Sequence, residues 1–387
     1  MPRPFFPPPV VGIVLHDFAL GGTERIAVRL ASRWVEEGAR VTIFCGSGAG
    51  EMRGLLSPAV RVVEASPPIH RRRGSRAALG RAAARHFTAE PVDVCFLPGN
   101  FHWPVAPALA AMPPACRPAI VAQVSAALVK PQRGRLRQRL YEGRMRWLLG
   151  WVSAIVTLQA SATADVARIM PAAHALTIPL PALDDDVAPP RPMPADTRRL
   201  VAVGRLVPEK GFDLLIEAFA TLNDPAATLA IIGEGPDRAR LERLIARHGV
   251  AARVTLPGYV ANPRPWLDEA RLAVLPSRYE GYPAALVEAL AAGRPVVATR
   301  CSPAPDALLD RTSGRVVPID DVHALRDALA EMLALAPPDL AELAGRVAHH
   351  RIGAVARRYL SLFAELTLDL DRARLDQAVS LSEPEQA

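Results

Sequence analysis

Short, unbroken apolar runs alternate along this chain with longer segments in which apolar residues return every three or four positions. Runs of the first kind predict strands covered on both faces, and segments of the second kind predict helices with one buried stripe. Val10–Leu15 is such a run; residues 23–35 follow it with Ile26, Leu30 and Trp34 four apart and Thr23 able to cap, and Arg40–Cys45 completes a βαβ unit. Further buried strands are predicted at residues 92–97, Ala119–Val124 and residues 151–158. Residues 179–194, PLPALDDDVAPPRPMP, carry six prolines and no periodicity, and therefore predict a linker. The alternation then restarts. Strands are predicted at residues 200–203, 229–232 and 254–256, with helices at 212–222 and 237–248 between them. Strand Leu272–Leu275, a helix at 284–292 and a strand at 295–298 come next, then a short strand near Val316 and helices at 322–333 and 339–366.

This order predicts an α/β fold of two doubly wound Rossmann-like domains facing each other across a cleft. The expected division is an N-terminal domain over residues 1–180, a linker over 181–197, a second domain over 198–350, a C-terminal helix over 351–370 and a fraying polar tail over 371–387. Length agrees, because 387 residues exceed one ordinary core and half of them are hydrophobic. Cys45, Cys95, Cys116 and Cys301 show no CxxC spacing, which predicts reduced, mostly buried thiols. The opening MPRPFFPPPVVGIVL is too proline-rich for a signal peptide, and no apolar stretch reaches spanning length. A cytoplasmic protein is therefore expected.

The formal charge of +7 favours anionic partners, and its placement matters more than its size. From Arg71 to Arg85 there are six arginines and no acid; from Lys130 to Arg146 there are seven cations against Glu142, interleaved with Leu136, Leu140, Met145, Trp147 and Leu148. Such stretches suit a membrane headgroup layer, so peripheral attachment to the cytoplasmic face of the inner membrane is expected alongside the alternative of a solvated helix face. Nucleic acid is not expected, since no reading motif or stacking platform accompanies the charge.

Candidate chemistry concentrates in the strand-to-helix loops. Glu280 lies in the loop after Leu272–Leu275 and Glu288 lies in the following helix, whose first-turn amides can point at an anion. Arg205 and Lys210 flank Pro208 in the loop after residues 200–203. Two cations, a helix dipole and a hydroxyl acceptor describe a nucleoside diphosphate site in which the cations replace a divalent metal. In the first half, Gly21 and Gly22 stand between strand and helix, either as a tight turn or as a close approach to ligand. The triplet Asp184, Asp185 and Asp186 lies among linker prolines, and no metal site is expected there.

VGRLVPEKGFDLLIEAF, GEGP, PGYV and the E-x7-E spacing of Glu280 to Glu288 closely resemble the retaining GT-B enzymes called glycosyltransferases group 1, which act in bacterial polysaccharide assembly. The resemblance implies a nucleotide-sugar donor and a saccharide or lipid-linked acceptor, with the N-terminal domain binding the acceptor and no cofactor or metal. It implies that Arg205 and Lys210 bind the diphosphate and Glu288 the ribose. Glu280 with the backbone of Gly281, Tyr282 and Pro283 would take the donor sugar, and the backbone near Leu286 and Val287 would touch phosphate. Gly22, beside Gly21, would approach the diphosphate, Gly258 would lie near the nucleobase, and the last helix would cross back to the first domain. Relatives often carry a histidine at the end of a first-domain strand; AIVAQVSAAL offers Gln123 and Ser125 instead, and His16 and His102 are the nearby replacements. Ala304 in CSPAPDALL occupies a usual glycine position. A nucleotide-sugar 2-epimerase on a similar scaffold and a non-catalytic nucleotide-sugar-binding protein are the competing readings.

Overall fold

The computed structural model describes residues 8–129, 133–194 and 196–382. Contacts divide the chain into two units, one holding residues up to 181 and from 352 onward, the other Ala182–Arg351.

In the first unit, seven parallel strands run β1 (Val10–Leu15), β2 (Arg40–Cys45), β3 (Arg61–Glu64), β4 (Val94–Leu97), β5 (Ala119–Val124), β6 (Ala154–Thr157) and β7 (Ala175–Thr177). Their order in the sheet is β3-β2-β1-β4-β5-β6-β7. The central strands β4, β5 and β6 are buried throughout, as continuous apolar runs require when helices cover both faces. Helix Ile352–Ser382 belongs to this unit. Its Tyr359 and Phe363 close an aromatic cluster with Trp34, at ring separations of 5.6 and 5.1 Å, and Tyr359 lies 5.4 Å from Phe96. These edge-on contacts bury large apolar area and so join the far end of the chain to the first core.

The second unit has six parallel strands: β8 (Arg199–Val203), β9 (Thr228–Ile232), β10 (Val254–Gly258), β11 (Leu272–Leu275), β12 (Val296–Thr299) and β13 (Gly314–Val317). Their order is β10-β9-β8-β11-β12-β13, with Leu200 opposite Leu272 and Val201 opposite Ala273 across the central pair. The strand order reverses at β8 and β11 here and at β1 and β4 in the first unit. In a doubly wound sheet, ligands bind beyond the carboxyl ends of the strands that flank such a reversal.

Several expectations change. Residues 339–366 form two helices, Leu340–Arg346 and Ile352–Ser382, because Leu343 and Val347 pack in the second core while Ile352 begins the return to the first. The last helix continues to Ser382 through most of the stretch expected to fray, on a sequence rich in Leu, Ala and Arg; residues 383–387 lie outside the described residues, as do 1–7. The segment containing CSPAPDALL is a short helix, Pro303–Leu308, with Ala304 buried. The proline-rich segment after Pro181 carries no helix or strand, yet it is strapped to the second unit. Leu183 is buried, the Arg264 guanidinium donates to the carbonyls of Ala188 and Pro189 at 2.8 and 2.7 Å, and the buried Arg294 donates to Arg191 O at 2.8 Å. Carbonyls that no regular ladder pairs are thus satisfied by arginine. Cys45, Cys95 and Cys301 are buried and Cys116 half-buried, all as free thiols.

Candidate functional site

The loop after β8 and the loop after β11 leave the sheet on either side of the second unit's switch point, and packing of their backbones brings their charges together. Gly211 makes this possible: its φ is +63°, and a Cβ there would lie 2.1 Å from Pro276 O. Only glycine fits that approach. The Arg278 amide donates to Glu209 O at 2.8 Å, and its guanidinium donates to Pro208 O at 2.7 Å and to Asp213 Oδ1 at 2.9 Å. Burial pushes the Asp213 carboxyl up, but the hydrogen bond and charge of Arg278 outweigh it and hold the group below its ordinary value.

Locked in this way, Lys210 Nζ donates to Glu280 Oε1 at 2.5 Å. The buried Ser277 hydroxyl donates to the same oxygen at 2.9 Å, and Ser277 O accepts from the Thr299 hydroxyl. Glu280 is thus a half-buried carboxylate fixed by one ammonium and one hydroxyl. Arg205 is exposed, and among the described residues no carboxylate pairs with it. One cation is compensated and the other is available.

Glu288 is half-buried on helix Ala284–Ala291, whose Leu286 and Val287 side chains are buried in the core. Pro283 opens that helix and has no N–H to offer, and the Leu286 amide already donates to Pro283 O at 3.2 Å. The amides ahead of that bond belong to Ala284 and Ala285. Tyr282 is held by its hydroxyl, 3.0 Å from His350 Nε2, and burial pushes its phenol above the ordinary value. The loops after β8, β9 and β10 are laced by their backbones: Gly204 N–H donates to Ile232 O at 2.9 Å, Leu206 N–H to Glu234 O at 2.9 Å, and Gly233 N–H to Gly258 O at 2.9 Å. Gly258 has φ +89° beside the exposed Tyr259.

In the first unit the candidates diverge. His16 follows β1 and His102 follows β4, and both are fully buried. His102 Nδ1 donates to Pro98 O at 2.7 Å while Nε2 accepts the His16 amide at 3.1 Å, so the ring is neutral; burial brings its pKa down to about 4. His16 Nε2 lies 2.8 Å from Ser75 Oγ, and burial again lowers its pKa. Gln123 is buried and donates to the Tyr359 hydroxyl at 2.9 Å. Of the four candidates only Ser125 keeps partial exposure, with its amide on Asn100 Oδ1 at 2.8 Å. Gly21 and Gly22 are exposed; Gly21 N-caps helix Gly22–Glu36, and a Cβ there would meet Glu24 Oε2 at 2.3 Å. Ser277, Arg278 and Gly211 went unnoticed in the sequence. The Lys-Gly step at 210–211 is the one local sign, a glycine where a turn needs positive φ.

Residues 197–334 match the family model described as Glycosyl transferases group 1, and residues 20–181 match that of Glycosyltransferase Family 4. Each half of the chain thus matches a glycosyltransferase family model. Among curated relatives, the lipopolysaccharide core biosynthesis glycosyltransferase LpsE of Rhizobium meliloti is 34% identical over 141 residues, 36% of this chain and 41% of that protein. A GDP-mannose-dependent phosphatidylinositol monomannoside mannosyltransferase of Mycolicibacterium smegmatis is 36% identical over 146 residues, 35% of this chain and 38% of that one. The chain spans about two fifths of the length of the curated relatives it matches. The structure of Anabaena HepE in complex with UDP and glucose aligns over 95% of this chain and all of that one, with TM-score 0.67 and 15% identity. That likeness is one of fold: the chain has the GT-B architecture of two Rossmann-like units. Among the described residues, no helix is long and apolar enough to cross a membrane.

Proposed function

We propose that the chain is a retaining, metal-independent glycosyltransferase. It moves a sugar from a UDP- or GDP-linked donor to a saccharide acceptor carried on lipid, in the assembly of lipopolysaccharide or another cell-surface polysaccharide. The observation that carries this reading is the charge arrangement at the second switch point, with Lys210 held against Glu280 and Arg205 exposed nearby in the same loop. In this reading Arg205 and Lys210 face the diphosphate, Glu288 the ribose, and Glu280 the hydroxyls of the donor sugar. As the bond from the anomeric carbon to the phosphate oxygen breaks, charge builds on the diphosphate, where preorganised cations stabilise it most. The acceptor hydroxyl attacks the same face, the new glycosidic bond forms, and its proton passes to the departing phosphate oxygen. A double displacement through Glu280 is disfavoured, because a carboxylate tied to an ammonium and a hydroxyl is a poor nucleophile. The two cations supply the charge that a divalent metal would bring.

Attachment to an anionic membrane face is part of the same reading, and helix Arg135–Leu149 supports it. Met145, Leu148 and Leu149 turn inward. On the opposite side Leu136, Leu140 and Trp147 form a second apolar stripe, 72%, 67% and 61% exposed. At 100° per residue, Arg135 and Arg139 flank that stripe on one side and Arg137 and Arg144 on the other. Lys130 lies outside the described residues. The stretch from Arg71 to Arg85 gives no such apolar face: it exposes no large hydrophobic side chain, and Arg71 is tied to Asp17 and Glu24.

Donor turnover tests the reaction. With EDTA present, adding a lipid-linked saccharide should release free nucleoside diphosphate from a UDP- or GDP-sugar, with the donor's anomeric configuration kept in the product by NMR. Inversion, or activity that needs manganese, would overturn the mechanism. Donor binding without release on any acceptor would favour the non-catalytic reading. The epimerase reading has less support, because both matched family models describe glycosyltransferases.

A further inference from the structure

The first unit holds a hollow of about 550 Å³ that the proposed reaction does not use. One wall is the segment Ser66, Pro67 and Pro68 after β3, and the other is the turn and first half of helix Ser75–Ala89. Arg72, Arg73, Arg81 and Arg85 all line it, and no acidic residue does. Among the described residues, none of the four forms an ion pair with a carboxylate. Adjacent Arg71 is treated differently: it donates to both oxygens of Asp17, at 2.5 and 2.7 Å, and to Glu24 at 2.7 Å.

Four guanidinium groups around one hollow repel each other, and Arg81 and Arg85 stand at the i,i+4 spacing where like charges oppose helix formation. An anion in the hollow relieves that repulsion. Guanidinium forks match phosphate oxygens two at a time, and the volume suits a phosphate ester of small-molecule size. The frame is built rather than incidental. Gly74 turns the chain at φ +81°, and the buried Ser75 hydroxyl donates to Arg72 O at 2.8 Å while accepting the Arg72 amide at 3.2 Å. The same oxygen lies 2.8 Å from His16 Nε2, which ties the arginine turn to the carboxyl end of β1, at the first sheet's switch point.

We propose that this hollow is a second anion site that takes a group of the diphosphate class, separate from the donor site of the other unit. Such a group could arrive on a soluble ester or on a lipid headgroup. Inorganic pyrophosphate is the probe, titrated calorimetrically into the full chain carrying Arg205→Ala and Lys210→Ala so that the donor site does not contribute. Binding is expected there, and it should weaken by about tenfold or more when Arg81→Gln and Arg85→Gln are added, each removing one bidentate donor. Both arginines are exposed, so an unchanged melting temperature is expected to accompany the loss. In a parallel arm, phosphatidylglycerol and phosphatidylcholine vesicles are floated with the same chains. Loss of phosphatidylglycerol binding in the Arg81→Gln, Arg85→Gln chain that pyrophosphate cannot reproduce assigns the group to lipid. Equal pyrophosphate affinity together with equal phosphatidylglycerol flotation in both chains, or binding of neither probe, overturns the site and leaves the donor-site reading untouched.

Discussion

Replacing Lys210 by methionine keeps the length of the side chain and removes the ammonium that donates to Glu280 Oε1 at 2.5 Å. The pair is only partly shielded, with side-chain exposures of 25% for Lys210 and 11% for Glu280. Unit charges near a protein surface attract by about 4 kcal/mol at about 4 Å before desolvation. The net worth of a charge-assisted hydrogen bond is about 1.5–3 kcal/mol, and exposed pairs fall below that range. Lys210→Met should therefore lower folding stability by only about 1–2 kcal/mol. Its effect on turnover should be larger, because a preorganised donor lost from a developing oxyanion costs about 3–4 kcal/mol, or 10²–10³ in rate. Urea unfolding gives the first quantity and acceptor-dependent release of nucleoside diphosphate the second. A Glu280→Gln background completes the cycle, since the glutamine can keep the Ser277 hydrogen bond while the ion pair is gone. If Lys210 only positions Glu280, adding Lys210→Met to Glu280→Gln will change nothing further. A kcat/KM within about tenfold of the parent in the single variant would refute the electrostatic role outright.

Gly211→Ala should destabilise the second unit by roughly 3 kcal/mol, combining the left-handed strain of about 1–2 kcal/mol with a backbone clash. Its new Cβ would sit 2.1 Å from Pro276 O, so an unchanged melting curve would show that the loops do not meet as described. For His102, burial holds the folded pKa at about 4 against an ordinary 6.5, so the unfolded chain takes the proton first. Stability is complete above the ordinary value and is lost as pH falls from about 6.5 toward 4, by at most about 3 kcal/mol. Urea midpoints measured across that window check it, and His102→Gln should flatten the profile. Leu140→Ser with Trp147→Ser should leave stability within about 0.5 kcal/mol, since both side chains are exposed, yet abolish flotation with phosphatidylglycerol vesicles. Equal flotation of parent and variant would remove the membrane face from the proposal.

Much of the architecture was legible from local pattern. Unbroken runs such as Leu272–Leu275 can only be strands with both faces covered, and their alternation with amphipathic helices requires parallel sheets. The glycine and proline punctuation of GRLVPEKG and EGYP marked the loops, and the spacing of Glu280 and Glu288 put both on one strand–loop–helix segment. What the pattern could not reveal was partnership. Lys210 and Glu280 are 70 residues apart, and they meet only because β8 and β11 are neighbours and Gly211 lets two backbones touch. His16, His102 and Gln123 looked available as polar residues at strand ends, but packing buried them and used their hydrogen bonds internally. The proline-rich segment looked like a free tether until the Arg264 and Arg294 guanidinium groups were seen to hold its carbonyls. Periodicity and backbone preference are properties of neighbours in the chain, so the sequence determines them directly. Whether a charge is paired, buried or left exposed depends on residues that only the folded sheet brings within reach, and that was decided by the tertiary structure.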